Sequence, residues 1–490
     1  MTERATTASG PQAPVLRRLQ DLPGPKPWPL VGNALQFDRP QVHQDMEALA
    51  REHGPCFLVR FMDMPILVVA DHALTHQIMR ARPHDFSRSR RLEREMRDLR
   101  LKPGLFNAEG ETWHRQRRMV MAGFTPQRVR AYFPAMLRVL QRLQTRWQRA
   151  ATQGADIDLQ ADLMRYTVDT ITGLAFGQEV NTLEAEGDVI QRHLDVIFPT
   201  LFNRVLGVVP YWRLFKLPSD HAVDRSVAEV QRAIADFMAR ARERLQQDPA
   251  RRENPPNLLE VFLVAAEQEG SGVGDDDVTG NVLTMLLAGE DTTANTLAWM
   301  IWLLHKHPQV LARARDEVRT AAPNGLADFT PELMDSLDYL GACAHETMRL
   351  KPVGPFMPVE ALRDMVIGDV AVPAGTLIWN VLRHESVSEE HVPQAASFQP
   401  ERWLAEHNPA KNLSIPFGSG PRICPGRYLA LLEIKMAMAL LLSAFDIADV
   451  RTDDGGEARE TMAFTMGPSP LTLLLRPASP ASDTLRTSSA

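Results

Sequence analysis

Near the end of the chain, Phe417-Gly-Ser-Gly420-Pro-Arg422-Ile-Cys424-Pro-Gly426-Arg-Tyr-Leu429 sets one cysteine in a glycine- and proline-rich turn just ahead of a long apolar stretch. Few folds have a use for that arrangement. Glycine lets backbone pass close to a large flat group. N–H groups at the start of the following helix can face the sulfur and stabilise a thiolate. Pro425 suits the first helical turn, where its missing N–H is not needed. The turn reads as a holder for a thiolate ligand, with Arg422 placed to meet an anionic group. A Cys-Pro-Gly turn alone would read as a buried structural cysteine before an ordinary helix.

Composition narrows the classes. With 490 residues, 44% of them hydrophobic, the chain can bury one large core. A net charge of −7 leaves no basic footprint, so nucleic acid is not expected as a partner. Cys56, Cys343 and Cys424 are far apart and unpaired in spacing, which argues against a disulfide scaffold or zinc site and for a reducing, cytoplasmic setting. The opening MTERATTASG lacks an apolar run. Val282–Leu304 comes nearest to a membrane span, but Glu290 and Asp291 interrupt it. A soluble monomer without a membrane span is expected.

Residues 1–21 and 477–490 read as disordered tails, and no linker divides 22–476. Periodicity predicts helices over 128–148, 159–176, 224–247, 275–305, 308–321 and 337–350. Strands are predicted over 56–61, 65–69, 366–372, 377–381 and 471–475. The stretches 248–257 and 270–277 read as surface loops. The fold class is mainly α, a single domain with small β-sheets.

The spacing Phe417-x-x-Gly420-x-Arg422-x-Cys424-x-Gly426 resembles the haem-binding loop of the cytochrome P450 family, with all five positions filled. The proline-rich entry Leu22–Asn33 also resembles the family, and the missing anchor points to its soluble, bacterial-type branch. The resemblance implies haem b with Cys424 as the iron ligand. It makes Phe417, Gly418, Arg422 and Gly426 cofactor-binding residues.

Further motifs match the same family. In Ala288-Gly289-Glu290-Asp291-Thr292-Thr293, Thr292 can bond back to the Ala288 carbonyl while Gly289 leaves a gap, opening a polar notch in the helix. By itself this is equally a core helix with ordinary threonines. By resemblance, Thr292 donates a hydrogen bond to dioxygen and Asp291 relays protons. Glu346 and Arg349 share a helix face, and with Arg402 they match a buried Glu–Arg–Arg network that holds the cysteine loop. Trp113 and Arg117 match the pair that binds a haem propionate; Arg115 and Arg118 read as solvated or as a docking patch for an acidic electron donor. One departure stands out. Where the family often has a basic residue there is Val359, which leaves Arg422 and His384 as candidates for the second propionate. His345 reads as a packed helix residue.

On the substrate side, the family arrangement places Ala288, Phe356, Met357, Val359, Phe464 and Met466 around the pocket; they could equally be core. The apolar, aromatic stretch Val196–Phe215 reads as an entrance for greasy molecules or a membrane-resting surface. The basic run Arg88–Lys102 reads mainly as a solvated helix, with one arginine between Arg88 and Arg100 as the anchor if the substrate carries a carboxylate.

The expected function is insertion of one oxygen atom of O2 into a fatty acid, terpenoid or steroid-like molecule. Electrons from NAD(P)H are expected through a separate ferredoxin or flavodoxin and its reductase, because no flavin or iron–sulfur domain follows residue 476. The rival readings are a peroxide-driven haem hydroxylase and a non-catalytic haem-binding sensor.

Overall fold

The computed structural model describes residues 16–177, 181–184, 189–207 and 209–478. Its frame is a pair of long helices, Leu159–Phe176 and Asp275–Lys306, which lie against each other. The first starts at Asp158, whose carboxylate accepts the Ala161 N–H, and stops at Gly177 in the left-handed conformation. Both devices satisfy backbone groups a helix end leaves open. The second is apolar on most of its circumference, so it runs through the core, with Trp299 and Leu297 fully buried. Thr167 on the first helix donates to the Glu290 carbonyl of the second at 3.0 Å. A Cβ on Gly289 would lie 2.7 Å from Ile171 Cγ1, so the close approach of these helices requires glycine there.

The apolar helix Arg427–Ala444 follows the cysteine turn and packs against Asp275–Lys306 and Asp338–Leu350. The largest sheet has the order Cys56–Phe61, Met64–Val69, Leu377–Val381, Phe356–Ala361, Phe86–Ser87. Phe445–Thr452, Leu471–Pro477 and Ile157–Asp158 form a second sheet; Glu460–Met462 and Met466–Pro468 form a hairpin.

Helices 159–176 and 308–321 end where periodicity places them, and 275–305 differs by one residue. The predicted strand 366–372 is instead a hairpin, Met365–Ile367 and Val370–Val372, turned at Gly368 with φ +59°. The stretch 248–257 contains a short helix, Ala250–Glu253, and the second loop ends early because Asp275 starts a helix.

The N-terminal boundary also moves. Residues 16–21, expected in a tail, belong to the folded body: Arg17–Arg18 pair with Val370–Ala371, and Arg17 grips Asp369 with two hydrogen bonds of 2.7 Å. Their polarity serves ion pairing. At the other end Pro477 is in a strand and the Ala478 N–H reaches the Ala444 carbonyl. The remaining tail residues, 1–15 and 479–490, lie outside the described residues. Among the described residues no helix is long and apolar enough to cross a membrane.

Candidate active site

A cavity of about 470 Å³ lies between the cysteine turn and the helix Asp275–Lys306. That size suits a buried organic ligand. Phe417, Gly418, Arg422, Cys424 and Gly426 form one side; Ala288, Gly289 and Thr292 face it from the long helix.

The turn delivers Cys424 through local hydrogen bonds. Its N–H donates to the Phe417 carbonyl at 2.9 Å, closing the loop. Gly418 and Gly420 both have φ +71°. At Gly420 a Cβ would also meet the Met79 carbonyl at 2.7 Å, so the loop sits directly on the end of the helix His72–Arg80. Burial pushes the Cys424 thiol up, while the Gly426 N–H and the charges of Arg117 and Arg427 pull against it. Those groups favour a thiolate, and Cys424 lines the cavity.

Beneath the loop, Glu346 and Arg349 are fully buried. Arg349 Nε and Nη2 each donate to the Glu346 carboxylate at 2.8 Å. Arg402 Nε adds a bond at 2.9 Å, Trp403 Nε1 one at 2.8 Å, and the Gln399 N–H one at 3.0 Å. Burial alone would raise the Glu346 carboxyl, but the hydrogen bonds and charge of Arg349 hold it below its ordinary range. Arg349 also donates to the Ser386, Ala395 and Ser397 carbonyls. It lines one small void with Ser414, Ile415 and Pro416, the residues leading into Phe417. The network thus lies against the residues that lead into the turn. His345 stacks on Trp403 at 5.0 Å, a packed residue as expected.

On the long helix, Thr292 Oγ1 lies 2.6 Å from the Ala288 carbonyl. A carbonyl can only accept, so this hydroxyl spends its proton there and offers lone pairs to the cavity. The expectation that Thr292 donates into the cavity is therefore reversed in this arrangement. Gly289 does not open the notch either: Ile171 fills the space beside it. Asp291 is held by Thr465 Oγ1 at 2.7 Å and by Asn295 Nδ2 at 3.4 Å. Burial pushes its carboxyl up, and the Thr465 hydrogen bond pulls it back.

Trp113 and Arg117 both line the cavity, as does Arg422, whose guanidinium lies 4.9 Å from the Trp113 ring centre. Arg422 also donates to the Ala108 carbonyl at 2.6 Å and pairs with Glu109. Arg115 is half-buried against Gly272, while Arg118 is exposed. His384 does not line the cavity. The chain leaves the strand Leu377–Val381 toward a buried ionic cluster, and His384 sits there near Glu47, Arg51 and His391.

Phe356, Met357 and Phe464 line the cavity as expected; Val359 and Met466 do not. Val359 lies two residues beyond Met357, roughly 6–7 Å along the strand, and packs in the core under the large sheet. In the hairpin, Phe464 projects from the turn and meets Phe106 and Phe198 at 5.9 and 5.8 Å, while Met466 turns into the main core. From the Val196–Phe215 stretch, Leu201, Phe202 and Val205 face the cavity, whereas Leu214 and Phe215 are exposed; Val208 lies outside the described residues. In the basic run only Arg88 and Arg91 reach the cavity. Arg90 pairs with Glu360, Arg97 with Glu93, and Lys102 with Asp276. Arg91 caps the Arg204 and Gly207 carbonyls.

Two charged cavity residues escaped sequence reasoning. Glu433 is the lone acid in a mostly apolar helix, a visible signal; complete burial pushes its carboxyl up to about 8, with Thr293 as a counteracting hydrogen-bond partner. Arg82 gives no signal in Arg80-Ala-Arg82-Pro83 beyond a basic loop.

The lining fits a flat dicarboxylate cofactor bound through a thiolate. Five arginines, 82, 88, 91, 117 and 422, line the cavity, and Arg82 Nε and Nη2, Arg422 Nε and Ser419 Oγ are buried without partners. Buried polar atoms are rarely left so unless a ligand completes them.

Comparison with known proteins gives the same direction. The family model described as Cytochrome P450 matches residues 22–475. A self-sufficient cytochrome P450 monooxygenase of Exserohilum turcicum is 29% identical over 92% of this chain, which spans 42% of that relative's length. A mitochondrial 25-hydroxyvitamin D-1 alpha hydroxylase of Rattus norvegicus is 30% identical, covering 88% of this chain and 89% of the relative. The crystal structure of the cytochrome P450DA heme domain superposes with a TM-score of 0.81 at 24% identity, covering 95% and 99% of the two chains.

Proposed function

This chain belongs to the cytochrome P450 family, and from that premise we propose that it is a haem–thiolate monooxygenase acting on an elongated or polycyclic apolar molecule. The observation that carries this reading is Cys424, which lines a cavity together with several arginines and with Ala288 and Thr292 of the long helix. Haem b, when bound, supplies the dioxygen chemistry: two electrons and two protons turn one oxygen atom to water, and the other enters a C–H bond or alkene of the substrate.

The chain's own residues do the rest. The Gly426 N–H and Arg117 stabilise the Cys424 thiolate. Phe417, Gly418 and Gly426 shape the seat, and Trp113, Arg117 and Arg422 take up the cofactor's carboxylates. Thr292, its own proton given to the Ala288 carbonyl, accepts a hydrogen bond from a water or substrate oxygen in the cavity and so orders proton donors there. Asp291 carries protons inward from the surface side of the helix, held in place by Thr465. Phe356, Met357, Phe464 and Leu201 exclude water from the reacting region and supply apolar contact.

A fatty acid, terpenoid or steroid-like skeleton fits this lining best. Burial contributes roughly 25 cal/mol per Å² of apolar surface before the costs of binding. Electrons reach the protein from NAD(P)H through a ferredoxin or flavodoxin and its reductase; the exposed Arg118 and Arg427 near the cysteine turn suit an acidic donor. A cytoplasmic setting is supported by Cys56, Cys343 and Cys424 all being free thiols.

The test is spectroscopic. Purified protein binds one haem, and its reduced carbon-monoxide complex shows the red-shifted thiolate-type Soret band; Cys424→His abolishes it. Persistence of the band in Cys424→His overturns the assignment. Thr292→Ala keeps haem and substrate binding but diverts electrons to hydrogen peroxide, measured as peroxide formed per NAD(P)H used; unchanged coupling removes Thr292 from proton delivery.

A further inference from the structure

With Val359 in place of a basic residue and His384 away from the cavity, Arg422 is the remaining expected partner for the second cofactor carboxylate, and Arg82 lines the cavity with it. Arg82 follows the helix His72–Arg80 by two residues. That helix end carries the cysteine turn, since Gly420 packs against the backbone of Met79 and Arg80. The contact brings Arg82 to the same edge of the cavity as Arg422, and both line it.

Arg82 is 2% exposed. Its one contact is from Nη1 to the Met79 thioether at 3.9 Å, a weak acceptor. Nε and Nη2 have no partner, and among the described residues no other guanidinium has two such nitrogens. Its charged neighbours are Arg422 and Arg88, which repel it, and Glu109. Glu109 is already engaged: one oxygen accepts the Arg88 N–H at 2.7 Å and the other pairs with Arg422. Burial lowers the Arg82 guanidinium to about 10, which still leaves it charged at neutral pH.

The two free nitrogens form the side fork of the guanidinium. Elsewhere in this protein that same fork grips a carboxylate with both arms: Arg17 on Asp369, Arg349 on Glu346, and Arg383 on Glu47. Planar fork-to-carboxylate pairing is the geometry for which arginine is selected. A buried cation without a counter-charge is otherwise costly.

The geometry points to Arg82 as a bidentate carboxylate-binding residue at the cavity edge, completed by the free Nε of Arg422, with a haem propionate as its occupant. It rests on the haem reading above and supplies the basic group that Val359 does not. A substrate carboxylate is the other source of the same chemistry.

The experiment follows haem loss from the loaded protein to excess apomyoglobin, for wild type, Arg82→Gln and Arg82→Lys, each reconstituted with protohaem or its dimethyl ester. Arg82→Gln loses protohaem about tenfold faster or more, as expected for a lost charge-assisted pair. Arg82→Lys, which keeps the charge but not the fork, falls between, and stands in if the glutamine variant does not fold. With the dimethyl ester, wild type and variants lose haem at rates within about twofold of each other. Equal protohaem loss from wild type and variants overturns the assignment. So does an Arg82→Gln defect that persists with the ester. A third arm titrates a long-chain acid and its methyl ester against the haem spectrum: loss of acid preference in Arg82→Gln with unchanged haem loss assigns the carboxylate to substrate and overturns the propionate. Failure of wild type to bind any haem refutes the haem reading itself, whatever Arg82 does.

Discussion

Two sets of buried charges lie on either side of the cysteine turn, and they are built on opposite terms. Below it, Glu346 is saturated by Arg349, Arg402, Trp403 and a backbone N–H, and Arg349 spends its remaining donors on carbonyls. A second closed cluster joins Arg383, Glu47, Glu460, His43 and Lys351. At the cavity edge, Arg82, Arg88, Arg117 and Arg422 have Glu109 among them, and Arg82 and Arg422 leave guanidinium nitrogens free. In the closed sets every guanidinium and carboxylate is met within the chain, with His43 Nδ1 the one buried atom left over, so they act on geometry. The open set is complete only with an anion from outside the chain, which is what makes it a binding site.

Removing a member from a closed set breaks that comparison first if it is wrong. Arg349→Ala strands the Glu346 carboxylate in the core and costs about 3–5 kcal/mol. Chemical unfolding measures it, and a loss below about 1 kcal/mol would make the network superficial.

The Glu460 cluster is sharpened by acid. Burial alone would raise this carboxyl, but His43, Arg383 and Lys351 hold it well below the ordinary range. A depressed folded-state value contributes stability that is fully present above the unfolded value, about 4.3. That stability declines as pH falls further and is gone below the folded value. Glu460→Gln therefore costs roughly 1.5–3 kcal/mol at neutral pH and flattens the acid limb of a stability–pH curve. Parallel limbs for variant and wild type would show that the cluster does not bind protons differently on unfolding.

Thr465→Val is a smaller change, about 1 kcal/mol in stability. It removes the hydrogen bond that pulls the Asp291 carboxyl down, so Asp291 titrates at higher pH. Infrared difference spectra against Asp291→Asn read this directly, and an unmoved carboxylate band would free Thr465 from that role.

The smallest expected effect is in the open set. In apoprotein, Arg82→Gln changes stability by less than about 1 kcal/mol or raises it, since the lost charge had no partner. A large loss there would place Arg82 with the closed sets.

Much of this was legible in the residues. Long helices carry their own periodicity, so 159–176 and 308–321 could be read to the residue, but 128–148 and 224–247 proved to be the interiors of Pro126–Gln153 and Pro218–Gln247, whose ends run past the clear apolar repeat. The turn around Cys424 signals itself because glycine, proline and cysteine at that spacing have few other uses. Thr292 and Ala288 meet as their i, i+4 spacing requires. The hairpin of Glu460–Met462 and Met466–Pro468 was missed because three residues are too few to show a period of two. Val359 was misplaced because it shares a face with Met357 but lies one step further along the strand, past the cavity, and Met466 because its side chain turns into the core; both depend on what the strands pack against.

The interiors of the long helices, the cysteine turn and the family resemblance could be read from residues a few positions apart, and the charges could be counted. Which charges are matched depends on how distant parts of the chain pack. Arg383 meets Glu47 across 336 residues and His43 meets Glu460 across 417, whereas Arg82 ends among like charges. Coulomb energy and desolvation act through space, so a guanidinium's role is set by the packing that surrounds it and not by its place in the chain.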